Sequence, residues 1–179
     1  MNILVDMDGV LCDFHKKFLE NWRKKYPNRE YIELKDTTDF YITNEYPEEY
    51  KEDIKEIYNS PNFFSSLDPI EGGINAIKEM VKLGHEVFIC TAPLDNYDYC
   101  VLEKMQWIEK HLGKEFVKKM IISYDKTHVK GDILIDDMPE VKGSNTPEWE
   151  HVIFDRPYNR NVNNKRKINW VNWKEVLKL

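Results

Sequence analysis

The sequence predicts an α/β fold: a Rossmann-like parallel sheet with helices on both faces, and a small helical cap inserted after the first strand. Three observations carry that expectation. Apolar runs of strand length recur without polar alternation, as strands covered on both faces require. Stretches of helical periodicity separate them. One long interval, residues 14–72, breaks the alternation.

The apolar runs lie at residues 3–5, 86–91, 120–123, 133–135 and 151–154. Before the second run, Ile74, Ile77, Met80 and Val81 mark a helix closed by Gly84. Between the second and third, Val101, Leu102, Met105, Ile108 and Leu112 form one stripe of a helix that Gly113 stops. A last helix follows Trp170, through Trp173, Val176 and Leu177. These elements define an α/β core of residues 1–13 and 73–179, with 14–72 as the cap. In the cap, Phe14, Phe18, Trp22 and Tyr26 fall every fourth residue, an aromatic stripe along one helix. Twelve of the 23 aromatics lie between Phe14 and Phe64, more than so small a unit needs for packing, so some are free to line a pocket.

Composition narrows the function. At 179 residues the chain suits one compact domain with an insertion. A net charge of −6 with no dominant basic face argues against a nucleic-acid polymer as partner. Cys12, Cys90 and Cys100 lack zinc-type spacing and are odd in number, so reduced thiols are expected. No stretch reaches the ~20 apolar residues of a membrane span. The first residues run directly into a strand without the pattern of a secretory signal. A soluble cytoplasmic chain is the expectation; the sequence is silent on oligomeric state and leaves a homodimer open.

The chemistry gathers at strand ends, where ligands bind in parallel sheets. The first run ends in Asp6-Met7-Asp8-Gly9. In an extended chain Asp6 and Asp8 leave the backbone on the same side. Two like charges so held call for a cation or a shared proton, and Mg²⁺ suits hard oxygen ligands and substrate phosphate. Asp136-Asp137 closes the 133–135 run and repeats the pattern. Thr91 ends the second run, where its hydroxyl and the adjacent N–H groups can hold a phosphate oxygen. Lys126 follows the third run and is placed to neutralise a phosphoryl group. Acids, a hydroxyl and a lysine at one sheet edge suit phosphate-ester hydrolysis, with Asp6 attacking phosphorus and Asp8 moving protons. No Walker lysine loop or GxGxxG is present, which disfavours kinase and dehydrogenase readings.

Asp6-x-Asp8-Gly9, Thr91, Lys126 and Asp136-Asp137, in that order, resemble the four motifs of haloacid-dehalogenase-like (HAD-like) phosphatases. Further blocks, among them Asn62-Phe63-Phe64, Glu103-Lys104 and Trp149-Glu150-His151-Val152, resemble the 5'(3')-deoxyribonucleotidases across nearly the whole chain. The resemblance implies an Mg²⁺-dependent phosphatase for deoxynucleoside monophosphates, with Asp6 as nucleophile and Asp8 as acid/base. It implies a metal held by Asp6, the Asp8 carbonyl and an acid of the Asp136–Asp137 pair, with Thr91 and Lys126 on phosphate. It also implies a base pocket of Phe14, Phe40, Tyr41, Tyr58, Phe64 and Ile42. Ala92, Asp95 and Tyr124 depart from the family pattern around the base, and Tyr41 and Tyr58 replace tryptophans. Two alternatives stand beside this reading: a phosphatase for another small phosphate ester, and a regulatory protein that binds metal or nucleotide without turnover.

Overall fold

The computed structural model describes all residues, Met1–Leu179. Six parallel strands form one sheet: β1 (Asn2–Val5), β2 (Glu86–Thr91), β3 (Met120–Ile122), β4 (Ile133–Asp136), β5 (Glu150–Phe154) and β6 (Lys167–Ile168). Their spatial order is β3-β2-β1-β4-β5-β6. The five expected strands are present, with ends moved by a residue or so. β6 was not expected: two residues at a sheet edge, one of them lysine, leave no apolar run to read.

The chain leaves β1 toward β2 and β3 on one side, then returns to β4 on the other. The strand order therefore reverses at β1, and the crevice outside its carboxyl end is where such sheets take ligands. β1 is buried from Ile3 to Val5, packed in register against Val87–Ile89 of β2 and Ile133–Ile135 of β4. That central position fixes Asp6, the next residue, at the middle of the sheet edge.

Between β1 and β2 lie α1 (Phe14–Lys25), α2 (Lys51–Tyr58), four single 3-10 turns and α3 (Gly73–Lys82). In α1, the Asp13 carboxylate caps the first turn by accepting the Lys16 N–H at 3.1 Å, and Arg23, Lys24 and Lys25 complement the dipole at the other end. The aromatic stripe is real: Phe18 and Trp22 are fully buried and stack at 5.8 Å, while Phe14 is half-buried.

α4 (Cys100–Leu112) keeps Ile108 and Leu112 of the expected stripe on the core but not the rest. Leu102 and Met105 point to solvent, and the buried face carries Cys100, Glu103, Lys104, Trp107 and Ile108. Polar bonding sets that register. The Glu103 carboxylate accepts the N–H groups of Asn62 at 2.5 Å, Phe64 at 2.9 Å and Ser65 at 3.3 Å, which ties the helix to the end of the 14–72 segment. Two short helices complete the fold, α5 (Lys114–Val117) and α6 (Trp173–Leu177).

Candidate active site

A cavity of about 720 Å³ opens at the carboxyl end of the sheet, between the strand tips and the 14–72 segment. Its floor is Asp6, Asp8, Thr91, Lys126, Asp136 and Asp137. Its walls include Phe14, Phe40, Tyr41, Ile42 and Tyr58 from the inserted segment. Of the twelve residues that a phosphate-and-base reading brings forward, only Phe64 does not line the cavity: it is 1% exposed and packs its ring on Phe14 and Phe63. Aromatic density in a sequence does not distinguish a ring that packs from one that lines.

Asp6 and Asp8 both reach the cavity floor, but they do not share a partner. The strand stops at Val5, the chain turns through Met7, and the two carboxylates go to different lysines. The Lys126 ammonium donates to Asp6 Oδ1 at 2.7 Å and to Asp136 Oδ2 at 2.6 Å, all three groups being nearly inaccessible. The Lys104 ammonium, fully buried, donates to Asp8 Oδ2 at 2.6 Å, Thr91 Oγ1 at 2.9 Å and the Ala92 carbonyl at 2.6 Å. Lys104 is the residue that reading the sequence for chemistry left without a role. Its only signal is a Glu-Lys pair in the middle of a helix, which ordinarily faces water.

Asp6, Asp136 and Asp137 each bring an oxygen within 4.8 Å of the others; the Asp8 side chain is outside that cluster. The two adjacent acids divide their work. Asp136 uses one oxygen on Lys126 and the other on the Met138 N–H at 2.9 Å. Asp137 accepts the Tyr158 hydroxyl on Oδ2, while its Oδ1 is buried with no hydrogen-bond partner. An orphaned carboxylate oxygen beside two further acids, with oxygen donors throughout, fits a hard divalent cation.

The charges follow from this crowding. Burial pushes the Asp6 carboxyl up to about 7; Lys126 opposes that, while Asp136 and Asp8 add to it. Burial likewise holds Asp137 well above the ordinary carboxyl range, with Asp136 and Asp6 adding to the effect. Burial alone would lower Lys126, but Asp136 and Asp6 outweigh it and raise the ammonium further. A cation among these acids would favour their charged forms.

Gly9 is required by both conformation and space. Its φ is +75°, and a Cβ there would sit 2.1 Å from Asp137 Oδ2. Ala92, Asp95 and Tyr124, the three departures noted in the sequence, all line the cavity, and the Tyr124 hydroxyl donates to the Leu94 carbonyl at 2.9 Å. Arg156 and Tyr158, on the loop after β5, complete the wall and were not foreseen.

Comparison with known proteins agrees with the fold. The profile of the family described as "5' nucleotidase, deoxy (Pyrimidine), cytosolic type C protein" matches residues 1–179. The human cytosolic-type 5'(3')-deoxyribonucleotidase is 40% identical over 187 aligned positions, covering 99% of this chain and 93% of the relative. A Bordetella bronchiseptica protein provisionally given the same activity is 43% identical over 177, covering 99% and 95%. Among solved structures, a HAD family hydrolase from Deinococcus radiodurans with bound phosphate and sodium superposes with a TM-score of 0.58 at 12% identity, covering 98% of this chain and 94% of that one, which shows the fold alone. The chain belongs to the 5'(3')-deoxyribonucleotidase family and is a phosphoric monoester hydrolase with a HAD-like α/β fold.

Proposed function

We propose that this chain hydrolyses deoxynucleoside monophosphates in an Mg²⁺-dependent reaction through an aspartyl-phosphate on Asp6. The observation that carries the reading is one cavity with an aromatic wall, Phe14, Phe40, Tyr41 and Tyr58, above a floor of Asp6, Thr91 and Lys126. Flat rings suit a base, and stacking on an aromatic is worth ~1–3 kcal/mol per base. The floor suits a phosphate. A cavity of about 720 Å³ is in the range for a small-molecule site.

In this reading the phosphate lies between Lys126 and the Thr91 hydroxyl, with its phosphorus facing Asp6. An Asp6 oxygen attacks phosphorus, the bond to the ester oxygen breaks, and Asp8 gives that oxygen a proton. Asp8 then takes a proton from water, whose oxygen attacks phosphorus and releases Asp6 and inorganic phosphate. Mg²⁺, when bound, screens the repulsion between two anions and stabilises charge on the transferring oxygens. Asp6 and Asp137 Oδ1 would hold it, with the Asp8 main-chain carbonyl as the further ligand that the family resemblance implies. Asp136 anchors Lys126 instead, its two oxygens being already engaged. Lys104 fixes the Asp8 carboxyl and the Thr91 hydroxyl to one point, which aligns the proton donor with the phosphate site. Residues 14–72 serve as the cap that closes over the base and excludes water.

Around the base, Ala92 offers no side-chain hydrogen bond, and apolar surface discriminates weakly. Activity on dUMP and dTMP with shallow discrimination among bases is therefore expected. The cytosolic-type human relative supports a cytoplasmic location, and no helix is long and apolar enough to cross a membrane. The test is kcat/KM for dUMP, dTMP, dGMP, UMP and a set of sugar phosphates, each with Mg²⁺ and with EDTA. Turnover of deoxynucleotides that needs Mg²⁺ and exceeds that of sugar phosphates supports the reading. Equal or better use of sugar phosphates would reject the base pocket.

A further inference from the structure

Asp137 is held by a part of the chain that the reaction itself does not use. The turn Pro157–Asn159, with Arg156 just before it, follows β5 and touches the site at three points. Tyr158 donates its hydroxyl to Asp137 Oδ2. Asn159, almost fully buried, donates its amide to the Asp137 carbonyl and to the Phe154 carbonyl, each at 2.8 Å. Arg156 donates Nε to the Gly9 carbonyl at 2.6 Å. Asp137 is thus fixed at its carboxylate and its backbone, and the loop after Asp8 is fixed to the same turn. The Tyr158 ring in turn lies edge-on to Phe40, with centroids 5.9 Å apart.

We propose that Tyr158 is a positioning residue that occupies one oxygen of Asp137, so that the acid meets a cation through Oδ1 alone, and that this selects Mg²⁺ over Ca²⁺. The inference rests on the reading of Asp137 as a metal ligand. Its physical basis is coordination chemistry. Mg²⁺ demands near-octahedral geometry from single oxygens, whereas Ca²⁺ takes a carboxylate through both oxygens and tolerates irregular shells. A carboxylate with Oδ2 already bonded to a hydroxyl would have to share that oxygen between the hydroxyl and the ion to offer both, which weakens the second contact. Oδ2 also occupies the space beside Gly9 that a Cβ would fill.

Tyr158→Phe removes one oxygen and keeps the ring against Phe40, so the fold should persist. The experiment measures Mg²⁺ and Ca²⁺ binding by calorimetry, without substrate, on wild type, Tyr158→Phe and Asp137→Asn. Loss of a hydrogen bond to a metal-binding group typically weakens affinity ~10–100-fold. In Tyr158→Phe, Mg²⁺ binding should weaken by that factor while Ca²⁺ binding holds or tightens, raising the Ca²⁺/Mg²⁺ affinity ratio at least about tenfold. An unchanged ratio, or equal weakening of both ions, overturns the proposal. Wild type gives a reading independent of any variant: a preference for Ca²⁺ over Mg²⁺ there overturns it too. Asp137→Asn separates the two levels of inference. If that variant binds Mg²⁺ as wild type does, Asp137 is no ligand and the metal reading itself fails; if it loses binding while Tyr158→Phe leaves the ratio unchanged, only the role of Tyr158 fails.

Discussion

Replacing Lys126 by methionine should separate the electrostatic role of this residue from its part in the reaction. The ammonium sits 2.7 Å from Asp6 and 2.6 Å from Asp136, and the three side chains are 8%, 10% and 3% exposed. Met fills a similar volume, so packing changes little and the loss is one of charge. Two carboxylates then lie side by side without their shared cation. Breaking a buried pair by removing one partner costs about 3–5 kcal/mol, because the remaining charge is uncompensated. For a chain of this size each kcal/mol moves Tm by ~2–4 °C, so a fall of roughly 6–20 °C is expected in EDTA. The fall should be smaller at pH 6 than at pH 8. The Asp6 carboxyl already titrates near 7, and losing the lysine raises it further, so mild acid neutralises the orphaned charge.

A second substitution gives the decisive comparison. Lys126→Met with Asp136→Leu removes the cation and one of its acids together. Replacing a buried ion pair by apolar groups of similar volume is often neutral or better, so the double variant should recover most of the lost stability. It should not recover turnover. With Lys126 gone, the phosphate oxygens lose their cationic side chain beside Asp6, and kcat should stay down on the order of 10²–10³-fold. Urea unfolding followed by circular dichroism, beside steady-state rates on dUMP, reads both quantities. A single variant as stable as wild type, or a double variant no more stable than the single one, would refute the reasoning.

The aromatic wall and the buried histidine of β5 give further expectations. Tyr41 is 58% exposed, so Tyr41→Ala should leave Tm within about 2 °C while raising KM for deoxynucleotides on the order of 5- to 100-fold, the equivalent of one stacked base. Phe40→Ala and Tyr58→Ala should raise KM more than they lower Tm; unfolding of all three variants would make the rings packing residues. His151 is held down to about 4, first by burial and then by the Lys165 ammonium, whose Nζ lies 3.0 Å from Nδ1. Between about pH 6.5 and 4 the unfolded chain takes up a proton that the folded one refuses, so this residue's contribution is present above 6.5 and is lost as pH falls. Asp6 acts oppositely in the same window in the metal-free protein, its raised carboxyl favouring the folded state on acidification. The difference between wild type and His151→Gln cancels that term. Relative to wild type, the variant should gain stability by up to ~1.4 kcal/mol per pH unit over this range in urea titrations, and a flat difference would show that the histidine does not resist protonation.

The acids of the site were legible for a local reason. Asp6, Thr91 and Asp136–Asp137 each end or directly follow an apolar run, and in a parallel sheet the carboxyl ends of the strands meet at one edge. Lys126 was legible on the same ground, in the loop after β3. Lys104 was not. It lies in the middle of α4, where hydrophobic periodicity pointed to Leu102 and Met105, and the ion pair of Lys104 with Asp8 and the backbone hydrogen bonds to Glu103 turn the helix otherwise. Arg156 and Tyr158 escaped notice because they occupy a loop with no periodicity, and their partners, Gly9 and Asp137, are distant in sequence. The separate destinations of Asp6 and Asp8 were hidden for a related reason. Both reach one cavity, but the lysines they meet lie 120 and 96 residues away in sequence.

The central claim is covalent attack by Asp6, and Asp8→Asn is the variant in which to see it. p-Nitrophenolate leaves without a proton, so phosphorylation of Asp6 by p-nitrophenyl phosphate should stay fast in Asp8→Asn, whereas hydrolysis of the intermediate needs Asp8 as base and should slow. Stopped-flow recording should then show a burst of p-nitrophenolate equal to one equivalent of enzyme. Acid quench and tryptic digestion should place one phosphoryl group on peptide Met1–Lys16, at Asp6, and none on the Asp6→Asn, Asp8→Asn double variant. Slow turnover with neither burst nor adduct, in a folded Asp8→Asn protein that still binds phosphate and Mg²⁺, would contradict the assignment of Asp6 as the attacking group.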